Sequence, residues 1–124
     1  MEDALLWLYI ANAVLLINHE IDSAYWHEWK LFGLPGGIGL FLVLHFPLLF
    51  LVLWGLLEVK DGTFAGVVFS LALGVAGVFA FCIHIYFIRK GRTEFNAPVS
   101  LFILYATFAV SIAQVAAAAW FLAL

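Results

Sequence analysis

Residues 37–57 read GIGLFLVLHFPLLFLVLWGLL, twenty-one positions without a carboxylate, lysine or arginine and with one titratable group, His45. A bilayer's hydrocarbon core, ~30 Å thick, takes roughly 20 mostly apolar helical residues to cross. This run has that length, and no charge interrupts it. Three more runs of similar character lie around it, Ala4 to about Trp26, Gly62 to about Ile88 and Pro98 to about Leu122. Hydrocarbon offers no water to backbone N–H and C=O groups, so each run must close its own hydrogen bonds as a helix. The expected fold is therefore all-α, a polytopic bundle of four transmembrane helices over about 4–26, 37–57, 62–88 and 98–122.

Composition points the same way. Apolar residues make up 67% and charged residues 10% of the chain, and mean hydropathy is +1.15. Soluble domains stay near half apolar and a quarter charged. With 124 residues, the chain is expected to be a single membrane domain over 1–124, its main partner the lipid bilayer. Five scattered cations make no basic stripe, which argues against nucleic acid as a partner. Cys82 stands alone, so no disulfide framework exists within the chain, and it reads as a small buried apolar group. Met1-Glu2-Asp3 is acidic where a secretory leader would be basic, so the first run is expected to remain in place.

The breaks have local causes. Gly33-Leu34-Pro35-Gly36-Gly37 combines backbone freedom with a missing N–H and is expected to end the first helix. Glu58-Val59-Lys60-Asp61-Gly62 reads as a short polar hairpin. Arg89-Lys90-Gly91-Arg92 closes the third helix, and Asn96 with Pro98 is expected to cap the fourth. Arg89, Lys90, Arg92 and Lys30 fall in two loops on one side, against Lys60 on the other. The positive-inside rule then makes those loops cytoplasmic and puts both termini outside, as in a bacterial inner membrane protein.

Polar side chains inside such helices are costly and commonly functional. Asn18, His19, Glu20, Asp22, His27 and Glu28 crowd the end of the first run, with His27 and Glu28 reading as part of an interfacial belt beside Trp26 and Trp29. His84 precedes Arg89 by five residues, about 7.5 Å of rise, and so shares the level of His19. His45 lies somewhat deeper, near the carbonyl that Pro47 leaves unpaired, and Tyr105 enters the last helix to a similar depth. Asn12, Asp22, Ser23 and Trp26 share a face with His19. Gly66, Ser70, Gly77 and His84 form a small-residue stripe on the third long helix, suited to close packing. Ser70, Ser100, Thr107, Ser111 and Gln114 read as interhelical hydrogen-bond donors.

Imidazole with carboxylate suits zinc, iron or manganese. His19, Asp22, His45 and His84 are the expected metal ligands, with Glu20 as a catalytic general base and Asn12 and Tyr105 orienting a ligand or water. A bis-histidine haem b beside Gly74 and Gly77 is a variant.

Asn18-His19-Glu20-Ile21-Asp22, followed by Trp26, Trp29 and Leu34-Pro35-Gly36-Gly37-Ile38, resembles a group of small bacterial integral membrane proteins with an Asn-His-Glu type signature. The same stretch is distantly similar to membrane proteins with a His-x-x-Glu-Glu motif, with Asp22 and Ser23 standing where that motif has its two glutamates. The resemblance covers mostly the first half and implies a bacterial inner-membrane location, not a reaction. Three functions stay open. One is a membrane metalloenzyme or metal-binding protein. The others are an accessory subunit of a larger complex, and a proton or ion transport component acting in a homo-oligomer.

Overall fold

The computed structural model describes residues 2–124 as a helical bundle, with no strand among the described residues. Its elements are α1 (Glu2–Tyr25), α2 (Glu28–Leu31), α3 (Gly37–Lys60), α4 (Phe64–Arg89) and α5 (Pro98–Ala123). All but α2 are long and apolar enough to cross a membrane. They run up and down, so the termini share one end of the bundle with the α3–α4 hairpin, where Leu5, Val59, Gly62 and Phe121 meet. The α1–α3 and α4–α5 connections share the other end.

Each hairpin closes with a recognisable cap. At the end of α3, Thr63 N–H donates to Glu58 O and Gly62 N–H to Val59 O, both at 3.1 Å, the paired bonds of a Schellman motif. Gly62 takes φ 67° there, a left-handed backbone that glycine adopts without strain. The Thr63 hydroxyl accepts from Gly66 N–H at 3.0 Å and donates to Glu58 Oε2 at 2.6 Å, capping α4 and tying it to α3. A second Schellman pair ends α4, with Arg92 N–H on Phe87 O and Gly91 N–H on Ile88 O.

Two helix-end signals differ from the sequence expectation. The first helix ends at Tyr25, within a residue of the expected bound, but the break is made by His27, which turns left-handed at φ 56° and is followed by a separate single turn, α2, ahead of the glycine-proline segment. Pro98 occupies the first turn of α5 as expected, but the residue before it, Ala97, is the N-cap and supplies no side-chain bond. Asn96 therefore does not cap the helix. Cys82 is also placed differently from its reading as a buried group, since it is exposed.

Small residues bring the helices together. A Cβ on Gly66 would lie 2.7 Å from Val59 Cα, and one on Gly74 would lie 2.7 Å from a Val115 methyl. A Cβ on Gly77 would collide with the Ser111 hydroxyl. Gly66, Ser70, Gly74, Gly77 and His84 are all buried on α4.

A polar knot joins three helices. Asn12 Nδ2 donates to Ser111 Oγ at 3.0 Å and to Gln114 Oε1 at 2.8 Å, and Gln114 Nε2 donates to Ser70 O at 3.0 Å. Tyr9 adds a tie from α1 to α3 by donating to Val52 O at 2.7 Å. Such bonds register helices that share a solvent as apolar as their own side chains. Replacing Gln114 by Leu should cost about 1–2 kcal/mol, because Asn12 Nδ2 then loses an acceptor inside the bundle. Thermal unfolding in detergent measures this, and a cycle with Asn12→Ala should show coupling between the two positions.

Candidate metal centre

Two imidazoles and one carboxylate meet at the end of the bundle that carries the α1–α3 and α4–α5 connections. One donor atom from each of His19, Glu28 and His84 lies within 4.8 Å of the others. Both histidines are buried, His84 to 1% exposure and His19 to 3%.

His19 arrives on the last turns of α1 and His84 on the last turns of α4. Glu28 arrives by a break in the chain. On a continuous helix it would lie nine residues beyond His19, about 180° around the axis and on the opposite face. The left-handed turn at His27 redirects the backbone, and α2 delivers the carboxylate back beneath His84.

The His84 ring has a defined tautomer. Its Nδ1–H donates to Ala80 O at 2.7 Å, and a carbonyl can only accept, so a neutral ring carries its lone pair on Nε2. That Nε2 stands 3.1 Å from Glu28 Oε1. Two acceptors at this separation repel unless a cation lies between them, either a proton or a metal ion. Neither His84 Nε2 nor His19 Nδ1 has a hydrogen-bond partner, although both are buried. Burial pushes the Glu28 carboxyl up, but the adjacent His84 outweighs this, and the net shift is below the usual carboxylate value.

Aromatic rings close the site. His19 and His84 meet edge to face with centroids 4.5 Å apart. Phe95, from the α4–α5 loop and itself 2% exposed, packs 4.5 Å from His84 and 5.8 Å from His19. Phe32 lies 6.1 Å from His84 on another side. These rings keep water from the polar atoms and strengthen electrostatic interactions among them.

A second pair lies alongside. His45 Nδ1–H donates to Phe41 O at 2.6 Å, and Nε2 lies 2.6 Å from Glu20 Oε2. By the same reasoning a proton must sit between His45 and Glu20, shared by imidazole and carboxylate. Glu20 lines one cavity with His19, Glu28 and His84.

The expected ligand set is thus brought together in part. His19 and His84 meet, whereas both nitrogens of His45 are already engaged with Phe41 and Glu20. Asp22 is not in the group, and its Oδ2 is buried without a partner. Glu28, which the sequence assigned to an interfacial belt, supplies the carboxylate instead. Asn12 is buried but serves the knot with Ser111 and Gln114. Tyr105 is 57% exposed and packs on Phe81, so it faces outward from the bundle. Nothing in periodicity marks Glu28. The available signal was a carboxylate just past a helix end, and only the His27 turn gives it a direction.

Fold and site together define a small four-helix membrane-type protein with a buried histidine–glutamate group near one end. Residues 5–120 match the profile of a family of unknown function, DUF6713, and the chain belongs to that family. No curated protein and no solved structure matches it.

Phe95→Ala should destabilise the protein by ~3–5 kcal/mol, as for other buried phenylalanines, with the loss read from thermal unfolding in detergent. Tyr105→Phe should leave the same midpoint unchanged, since its side chain reaches neither histidine.

Proposed function

We propose that the protein is a membrane metal-binding protein whose centre is His19, Glu28 and His84. The observation that carries this reading is the bare His84 Nε2 facing a glutamate oxygen at 3.1 Å while its Nδ1–H is anchored on Ala80. Metal-bound histidines characteristically hold their second nitrogen on a carbonyl or carboxylate in this way, which fixes the ring and the donating nitrogen. Two imidazoles and one carboxylate suit zinc or ferrous iron, and they leave coordination positions open for water or substrate. A bound ion of this kind would supply Lewis acidity or, if iron, redox chemistry. Tetrahedral bonds of ~2.1 Å place donors roughly 3.4 Å apart, so the present spacing needs only small side-chain movement. The direct edge contact of the two imidazole rings supports a single ion over a haem between them.

Glu20 adjoins the centre and holds a proton with His45, which suits it to the general-base role. The same pair favours a second reading, proton handling, in which His45–Glu20 and His84–Glu28 are successive proton carriers. The distribution of Lys30, Arg89, Lys90 and Arg92 against Lys60 supports a cytoplasmic placement of the centre and external termini, in a bacterial inner membrane.

Elemental analysis of detergent-purified protein after zinc loading should give about one ion per chain. His19→Ala, His84→Ala and Glu28→Gln should each weaken zinc binding beyond the ~10–100-fold typical of losing an outer hydrogen-bond partner. Asp22→Asn should leave it unchanged. Equal zinc retention by wild type and all three ligand variants would overturn the metal reading and leave proton transfer, measured as pH change in proteoliposomes, as the function to test.

A further inference from the structure

The three donors form one end of a much longer feature. A cavity of about 420 Å³ runs from His19, Glu28 and His84 toward Tyr9 and Phe69. Its extent along α4, from His84 back to Phe69, is fifteen residues or roughly 22 Å, well over half of a ~30 Å hydrocarbon core. Its volume lies in the range of small-molecule sites.

The walls explain why it exists. Near their hairpin, α3 and α4 touch closely through Gly55 against Phe69 and Gly66 against Val59. Toward the donor end, α4 presents Ala72, Ala76 and Ala80 at four-residue intervals to the cavity, and three alanines on one face leave a slot. The slot opens sideways. Rim residues Leu48, Leu51 and Phe79 line it and are also exposed, at mid-span depth. An opening there faces lipid chains, not water.

One end of the slot is polar and the rest apolar, and at the polar end buried His84 Nε2 and His19 Nδ1 lack partners. An occupant must combine an aliphatic chain with a polar end that suits Glu20, Glu28 and the two imidazoles lining that end. The carboxylate oxygens of Glu20 and Glu28 at that end call for a head that can donate a hydrogen bond, which a carboxylate head cannot do. The ammonium of a cationic head has donors only and cannot coordinate an ion. A hydroxyl can both donate to a carboxylate or imidazole and offer an oxygen lone pair to a metal.

We propose that the slot binds a neutral, hydroxyl-bearing long-chain amphiphile drawn laterally from the bilayer, its chain along Ala72, Ala76 and Ala80 and its hydroxyl at His19, Glu28 and His84. This rests on the reading of those three residues as the protein's polar binding centre. It adds the class of molecule that centre receives.

The test uses full-length protein in detergent with a hexadecanol carrying a mid-chain diazirine, photolysed and mapped by peptide mass spectrometry, with zinc stoichiometry measured on the same sample. The expected result is label concentrated on residues 48–52 and 72–83, competed by unlabelled hexadecanol but not by hexadecanoate or hexadecyltrimethylammonium. Ala76→Trp should fill the slot and lower that label by about tenfold or more with zinc stoichiometry unchanged. Ala72→Phe provides a second, milder block, and Val75→Trp, on the exposed face of α4, should label as wild type. Label spread evenly around the four long helices, label unaffected by either blocking variant, or equal competition by the charged amphiphiles would overturn the proposal. Loss of zinc binding with slot labelling intact would instead sink only the metal reading.

Discussion

The bundle depends on the seam of small residues along α4. Hydrocarbon gives no hydrophobic incentive for one apolar helix to leave lipid for another, so association rests on close packing and on polar groups that need partners. Gly66, Gly74 and Gly77 supply the packing by letting backbones approach where a Cβ would collide. Ser70 supplies an acceptor for Gln114 at the same seam. His84 lies two turns beyond Gly77 on this stripe, so the packing that seats Gly77 against Ser111 also turns His84 inward.

That placement makes the histidine expensive unless it is satisfied. Ala80 O satisfies one nitrogen, and the geometry leaves the other facing a carboxylate and a second imidazole, enclosed by Phe95 and Phe32. Desolvation here raises the cost of an unpaired polar atom and strengthens any cation that pairs it. The structure thus sets two unpartnered imidazole nitrogens beside a carboxylate at one end of a largely apolar cavity, which is the physical basis for reading that end as a binding centre.

The two histidine–carboxylate pairs differ in a way that matters for chemistry. His45 and Glu20 meet at 2.6 Å, close enough for one proton to be held between them. His84 and Glu28 stand farther apart, with His19 beside them. The looser group brings three donor atoms within 4.8 Å of one another, whereas the tighter pair is complete with a proton.

Much of this was readable from residue order. Runs of about twenty apolar residues, broken by glycine, proline and charge, determine a four-span all-α chain because lipid allows a spanning segment no other way to satisfy its backbone. The shared level of His19 and His84 follows from counting helical rise, and the inward face of α4 follows from its glycine spacing. Tertiary structure alone decided which carboxylate joins them. Asp22 had the favourable helical spacing, yet Glu28 takes the place, because a left-handed turn at His27 reverses a face that periodicity assigns to the opposite side. It also decided that His45 pairs with Glu20 and that Tyr105 faces outward, since the rotation of each helix about its axis is set by contacts with its neighbours and not by its own apolar, nearly featureless surface.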